Sequence, residues 1–265
     1  MASIRIPTES DFDSLTPQLT TSLVFPSPRE STTVILILFH GLGDSESSFA
    51  SFARSLNLPG VLAISVRGTA PLPPVLVGDL DSSGPGGPRH FHWGDDLRLS
   101  DGGDLDTDPG FEKAQHLILD RLVGEVLIGN CGWEVADILL FGFGQGGSFA
   151  LGLASRVRDG LKVSELEEGN GDERRGKAFK GVISIGGPLP NSMVPTVSSR
   201  EKSRTPVLIC HGRESESIDE DVVDVIKKEF TDVQVVEWKK KNDGMPESRE
   251  EVLPMMRFFA ECLRS

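Results

Sequence analysis

The segment Ile138–Gly147 (ILLFGFGQGG) has the sequence of a buried strand that turns sharply into a helix. Glycines two residues before and after the centre of such a turn are typical of a nucleophile elbow, in which a serine attacks an acyl carbon. The central position here is Gly144, which has no nucleophilic side chain. The backbone amides at the start of a helix can still donate hydrogen bonds to an anion. The pattern therefore predicts a site for a carboxylate or an acyl group.

Hydrolysis by a serine also needs a histidine that takes the proton and an acid that orients the histidine. Where this type of elbow is used, the chain order is nucleophile, acid, histidine. The five histidines are His40, His90, His92, His116 and His211. The chain beyond His211, where the base is expected, contains no histidine.

Other nucleophiles are weaker candidates. Ser148 offers a loosely shifted match to the elbow, but it falls one turn inside the predicted helix, where its side chain would be buried. The cysteines, Cys131, Cys210 and Cys262, are scattered and lack the spacing of metal ligands. They predict buried, reduced thiols in a protein of the cytoplasm or nucleus.

Two segments resemble metal-binding sequences. His90-Phe-His92 lies near Asp95 and Asp96, a combination that can ligate a metal, although exposed polar residues of a loop explain it as well. The run from Asp104 to Asp108 resembles the opening of a calcium loop, but proline and glutamine stand where that loop needs glycine and glutamate. We expect no metal and no cofactor, and we interpret Asp108 as the N-cap of a helix that starts at Pro109.

Short apolar runs alternate with segments of helical period along the chain. This alternation predicts an α/β fold with a mostly parallel sheet covered on both faces. The predicted strands are Ser22–Phe25, Thr33–Phe39, Gly60–Val66, Ile138–Phe143, Gly181–Ile185, Val207–Cys210 and Val233–Trp238. The predicted helices are Ser47–Leu56, Pro109–Gly129, Gln145–Val157, Ser217–Glu229 and Ser248–Leu263, the last with Pro254 inside it as a kink or a later start.

The composition excludes some partners. The chain has 265 residues and a net charge of −13, which disfavours nucleic-acid binding because phosphate contacts need clustered Lys and Arg. No apolar run is long enough to span a bilayer, and the N-terminus lacks the apolar core of a secretory signal. We therefore expect neither a membrane span nor a nucleic-acid partner, and the oligomeric state stays open.

Several motifs in order resemble the phospholipase/carboxylesterase family of α/β-hydrolases, which includes acyl-protein thioesterases. They are Phe39-His-Gly-Leu-Gly-Asp-Ser45, Gly68-Thr-Ala-Pro71, Trp93-Gly-Asp95, the elbow, Gly181–Pro190, Pro206–Gly212 and Gly244-Met245. The resemblance implies an α/β-hydrolase fold over a single domain at 1–265, with an N-terminal extension at 1–20. The Gly, Pro and Asp content of 71–108 and the polar composition of 164–177 predict long loops there. The resemblance also implies an oxyanion hole formed by the backbone N–H groups of Leu42 and Gln145.

The sequence departs from this family at its three catalytic positions. Gly144 stands for the serine, Ser215 for the acid and Glu247 for the histidine. Glu214 or Glu216 could supply a carboxylate if the loop were shifted. The departures predict a pseudohydrolase that binds a protein partner or an acyl or carboxylate ligand without cleaving it. The alternative is a residual or altered ester or thioester hydrolase with an unconventional nucleophile.

Overall fold

The computed structural model describes residues 4–73, 76, 90–97, 106, 108–157, 178–195 and 201–264. Its main element is a seven-stranded sheet with the strand order β1-β3-β2-β6-β7-β8-β9. The strands are β1 Thr21–Val24, β2 Val34–Phe39, β3 Val61–Val66, β6 Ile138–Phe143, β7 Gly181–Ile185, β8 Val207–Gly212 and β9 Val233–Trp238. Strand β1 pairs antiparallel with β3, and the other pairings in this sheet are parallel. The predicted mostly parallel sheet is confirmed.

A second, two-stranded sheet joins β4 (Ala70–Pro71) to β5 (Phe91–His92) in antiparallel pairing. These strands belong to the segment that the sequence predicts as the loop 71–108, of which large parts lie outside the described residues. The predicted loop 164–177 lies entirely outside them. The N-terminal segment carries a 3₁₀ turn, Glu9–Leu15, whose Phe12 and Leu15 are buried.

Five longer helices surround the main sheet. They are α1 Glu46–Leu56, α2 Glu112–Asn130, α3 Gln145–Arg156, α4 Glu220–Glu229 and α5 Arg249–Arg264. Helix α2 begins as an α-helix and has π-helical hydrogen bonding over His116–Asn130. Helix α5 begins five residues before Pro254 and continues through it, so the late start is wrong. Within the described ranges, no helix is long and apolar enough to cross a bilayer.

The start of α2 differs from the prediction. Asp108 does not cap it: its carboxylate accepts a hydrogen bond from the backbone N–H of Ser192 at 2.9 Å. Asp95 takes the capping role, because its two carboxylate oxygens accept from the N–H groups of Glu112 at 2.7 Å and Lys113 at 3.0 Å. A sequence pattern identifies a capping residue only when it stands next to its helix, whereas Asp95 is distant from α2 in the sequence.

Alternate residues of the central strands enter two separate cores. In β2, Ile35, Ile37 and Phe39 face the core that contains α2 and α3, while Leu36 and Leu38 face the core beneath α1 and α5. Both faces of the sheet are therefore buried at its central strands, which explains why these strands read as continuous apolar runs.

A charged pair connects the start of α1 to the end of β3. Both carboxylate oxygens of Glu46 accept from the guanidinium of Arg67, each at 2.6 Å, and only 4% of Glu46 is exposed. Burial alone would raise the pKa of Glu46, but the hydrogen bonds and charge of Arg67 outweigh burial and hold the pKa below its ordinary value.

Replacing Arg67 by Met should lower the free energy of unfolding by about 2 kcal/mol, because it leaves the buried Glu46 carboxylate without its partner. The folded pKa of Glu46 lies below the unfolded one. The pair therefore stabilises the fold fully above the unfolded value near 4.5, and this contribution is lost as the pH falls through the folded pKa. Urea denaturation of both proteins at neutral pH and at about pH 3 measures the difference.

The matched control is Arg54→Met, which removes an exposed arginine from α1 itself. We expect it to change the free energy of unfolding by less than about 0.5 kcal/mol. Equal effects of the two substitutions, or a pH-independent effect of Arg67→Met, would contradict the role assigned to the pair.

Candidate active site

Gly144 occupies the turn between β6 and α3 with φ +51° and ψ −121°. The turn lies at the carboxyl edge of the sheet, where parallel α/β proteins bind their ligands. A Cβ atom built on Gly144 would have no neighbour within 4 Å, so open space lies where a side chain would project. The structure thus places the candidate nucleophile position at an elbow-like turn that holds no nucleophile.

The glycines on either side of Gly144 allow the strand and helix to approach closely. A Cβ at Gly142 would lie 2.1 Å from the carbonyl oxygen of Gly146, and one at Gly146 would lie 2.4 Å from the carbonyl oxygen of His40. Both distances are far below van der Waals contact. These two glycines are therefore sterically required, whereas Gly144 is not.

The backbone N–H groups of Leu42 and Gln145 lie at corresponding positions after two neighbouring strands. Phe39 of β2 pairs in register with Gly142 of β6, and each amide comes three residues after its strand partner. Within the described part of the chain, neither N–H donates to a protein acceptor. The side chain of Leu42 is 39% exposed, so it borders solvent at this edge.

A hydrogen-bond network fixes the segments that carry these amides. The side-chain oxygen of Gln145 accepts from the backbone N–H of Trp93 at 2.8 Å, and the indole N–H of Trp93 donates to the carbonyl oxygen of His40 at 2.9 Å. The ring of His40 bonds Gly41 O through Nδ1 at 2.7 Å and accepts from Gly68 N–H through Nε2 at 2.8 Å. Sequence analysis did not predict that Trp93 and Gln145 connect these segments.

His40 does not have the properties of a general base. Both ring nitrogens of His40 are engaged, and burial lowers its pKa, so the ring stays neutral as a structural element. Nδ1 of His211 lies 2.8 Å from the carbonyl oxygen of Gly212. The Nδ1 contacts of both rings are consistent with roles in packing and hydrogen bonding.

Ser215, at the position of the acid, is paired with a carboxylate that sequence analysis missed. Its hydroxyl donates to Oδ2 of Asp243 at 2.7 Å, and Oδ1 of Asp243 accepts from the backbone N–H of Gly212 at 2.9 Å. The hydroxyl oxygen also accepts from Ile218 N–H at 3.0 Å. Asp243 therefore connects the loop after β8 to the loop after β9. The only sequence signal for Asp243 was its position directly before the Gly244-Met245 motif.

The two glutamates that flank Ser215 have other surroundings. Glu214 lies 3.4 Å from Arg213 and 3.7 Å from Lys241, on the exposed surface. Glu216 is exposed and lines a groove with Leu189 and the first turns of α4. The hydroxyl of Ser215 donates its hydrogen bond to Asp243 and not to either glutamate.

Glu247, at the position of the histidine, is exposed just before α5. Its backbone N–H donates to Oε2 of Glu251 at 2.7 Å, and this carboxylate also lies 3.5 Å from Nζ of Lys240. The same ammonium donates to the carbonyl oxygens of Gly244 and Met245, both at 2.8 Å. Lys240 and Glu251 thus fix the loop in which a catalytic histidine would stand.

The remaining nucleophile candidates are unsuited to attack. Ser148 is 2% exposed and lies inside α3, as its spacing predicts. All three cysteines are buried and form no disulfide among the described residues, and burial raises the pKa of Cys210 to about 12 and of Cys262 to about 11. Burial also raises the pKa of Cys131. The thiolates that nucleophilic attack requires are therefore disfavoured.

The His-x-His segment forms no metal site with its neighbours. Nδ1 of His90 lies 2.6 Å from Gly43 O, His92 is buried with its Nδ1 unbonded, and Asp95 caps α2. Among the residues that the structure describes, no three His, Cys, Asp or Glu side chains cluster as metal ligands. Most of the calcium-like run from Asp104 lies outside the described residues.

Alanine substitutions should separate the sterically required glycines from Gly144. Gly146→Ala and Gly142→Ala should each lower the free energy of unfolding by about 3 kcal/mol or more, because the new methyl group overlaps backbone atoms. Gly144→Ala should cost only about 1 kcal/mol, from the positive φ of the turn. Urea denaturation measures all three, and an equal loss for Gly144→Ala would show that its surroundings are not open.

Comparison with known proteins agrees with this architecture. The family model described as Phospholipase/Carboxylesterase matches residues 21–163. An uncharacterized hydrolase of Schizosaccharomyces pombe is 33% identical over 159 residues, which cover 60% of this chain and 55% of that protein. The chain spans about half the length of the curated relatives it matches.

Solved structures show the same fold at lower identity. Acyl-protein thioesterase 2 of Zea mays is 21% identical with a TM-score of 0.59, over 92% of this chain and 99% of that one. The carboxylesterase of Bacillus cereus is 15% identical with a TM-score of 0.60, over 96% and 100%. The chain belongs to the phospholipase/carboxylesterase family of hydrolases and has its α/β-hydrolase fold.

Proposed function

We propose that this chain binds an acyl or carboxylate group at the turn between β6 and α3 and does not cleave it. The observation that carries the proposal is Gly144, which has the elbow conformation and open space beside it but no side chain. An acyl-enzyme intermediate requires an oxygen or sulfur nucleophile on the attacking residue. Glycine cannot form this intermediate.

The anion-binding half of the site supports binding without cleavage. The N–H groups of Leu42 and Gln145 have no protein acceptor within the described part of the chain, and Gln145 begins α3. Backbone N–H groups at a helix N-terminus stabilise a carboxylate or a polarised carbonyl oxygen, whether or not a reaction follows. The open space next to Gly144 gives such a group room.

The proton-transfer half of the site supports the same conclusion. Glu247 is exposed, and Ser215 and Asp243 bond each other and the loop backbone. With Glu247 at the position predicted for the histidine, a hydroxyl or a bound water at Gly144 would lack the imidazole that activates the nucleophile in this reaction. The three departures from the family therefore have one consequence: hydrolysis is lost and binding is retained.

Isothermal calorimetry with octanoate tests the proposal. We expect saturable binding with a dissociation constant of about 1 mM or lower, which corresponds to roughly 4 kcal/mol of binding free energy. Gly144→Leu should abolish binding, because the new side chain fills the open space beside the turn.

Gly144→Ala is the matched control, since it imposes the same backbone restriction with much less volume, and it should retain most of the affinity. Absence of binding heat for the unmodified chain at millimolar octanoate, or equal affinity of the leucine variant, would contradict the proposal. Thermal denaturation of each variant establishes that it is folded before its affinity is compared.

A further inference from the structure

A groove lies beside the candidate site, between the segment after β7 and the first turns of α4. It has a volume of about 350 Å³, which is within the range of small binding pockets. One wall contains Leu189 between two prolines, and the opposite wall contains Val222 and Val225 of α4. Val225 is 41% exposed although it is a large apolar residue. The groove thus offers an apolar surface that the described residues do not cover.

Three carboxylates border this apolar surface: Asp108, Glu216 and Asp221. No Lys, Arg or His lines the groove among the described residues. Glu46 shows the contrasting arrangement, because Arg67 compensates its charge. Glu216 and Asp221, by contrast, have no ion pair within the described part of the chain. Among the described residues, the groove therefore combines apolar walls with carboxylates at its rim that no cation in its lining compensates.

Internal contacts fix both walls of the groove. The carboxylate of Asp108 accepts from the backbone N–H of Ser192, which connects it to the turn after Pro190. Asp219 caps α4 by accepting from Val222 N–H at 2.8 Å, and Ser215 accepts from Ile218 N–H at 3.0 Å. A groove that is formed before binding loses little conformational entropy when a ligand enters.

We propose that this groove is a docking site for a basic, amphipathic peptide segment of a partner protein. An apolar side chain of the segment would pack between Leu189 and Val225, and flanking Lys or Arg side chains would meet Glu216 and Asp221. Charge complementarity selects this occupant, because an acidic segment would face three carboxylates without a counter-charge. The groove lies next to the candidate site, since Glu216 directly follows Ser215.

Fluorescence anisotropy with a labelled hexapeptide of alternating lysine and leucine tests the proposal. We expect saturable binding that weakens about tenfold in the variant Glu216→Gln/Asp221→Asn, which removes two rim charges with little change in shape. A peptide of alternating lysine and serine should bind about tenfold more weakly than the leucine peptide, because it leaves the apolar walls uncovered. A peptide of alternating glutamate and leucine should not bind.

The control variant Glu220→Gln/Asp224→Asn removes the same number of charges, from positions on α4 that do not line the groove. It should change the affinity by less than about twofold, because solvent and salt screen charges outside the binding surface. An equal loss in both variants would mean that only the net charge attracts the peptide. An equal loss would overturn the proposal. Unchanged affinity of the rim variant would also overturn it, as would absence of saturable binding.

Gly144→Leu separates this proposal from the one for the elbow. It should leave peptide affinity unchanged while it abolishes octanoate binding. The two proposals can therefore fail independently, and loss of peptide binding in this variant would place the peptide at the elbow instead of the groove.

Discussion

The close approach of β6 to α3 is the constraint on which the candidate site depends. Gly142 and Gly146 leave no room for a Cβ, so strand and helix meet at backbone distance and the chain must reverse over a single residue. That residue, Gly144, takes a positive φ, and the amide of Gln145 follows at the start of the helix. Binding of an anion at this edge requires only this backbone geometry, and the geometry does not depend on a nucleophilic side chain.

The surrounding residues are engaged in structural contacts where a hydrolase would use them in a reaction. Ser215 and Asp243 bond each other and connect two loops, and Lys240 holds the loop before Glu247 through two carbonyl oxygens. The Ser215–Asp243 contact limits motion of these loops, because it joins the segments that follow β8 and β9, whereas the Lys240 contacts lie within the loop after β9. The candidate site is accordingly rigid and polar at its acid position, while the elbow itself is open.

Much of the fold follows from sequence patterns. The central strands of the main sheet are buried on both faces, so that Val34–Phe39 and Ile138–Phe143 read as continuous apolar runs. The glycines of the elbow could be interpreted because backbone contact permits no other residue at Gly142 or Gly146. The order of the family motifs predicts that Gly144, Ser215 and Glu247 stand at the three catalytic positions.

The features that the sequence did not predict depend on contacts between distant residues. Asp95 caps a helix that begins 17 residues later, and Asp243 bonds Ser215 across 28 residues. The groove at Glu216 exists only because the segment after β7 lies against α4. No local sequence pattern encodes these contacts, because each depends on which strands lie side by side in the sheet.

The central claim is that an acyl group binds at the elbow and is not cleaved. The most direct measurement is the rate at which a thiol is released from a short-chain acyl thioester, at concentrations that calorimetry shows to occupy the site. We predict a rate equal to that of heat-denatured protein, for the unmodified chain and for Gly144→Ser, which gains a hydroxyl but no base. Turnover by the unmodified chain that Gly144→Leu abolishes would contradict the claim.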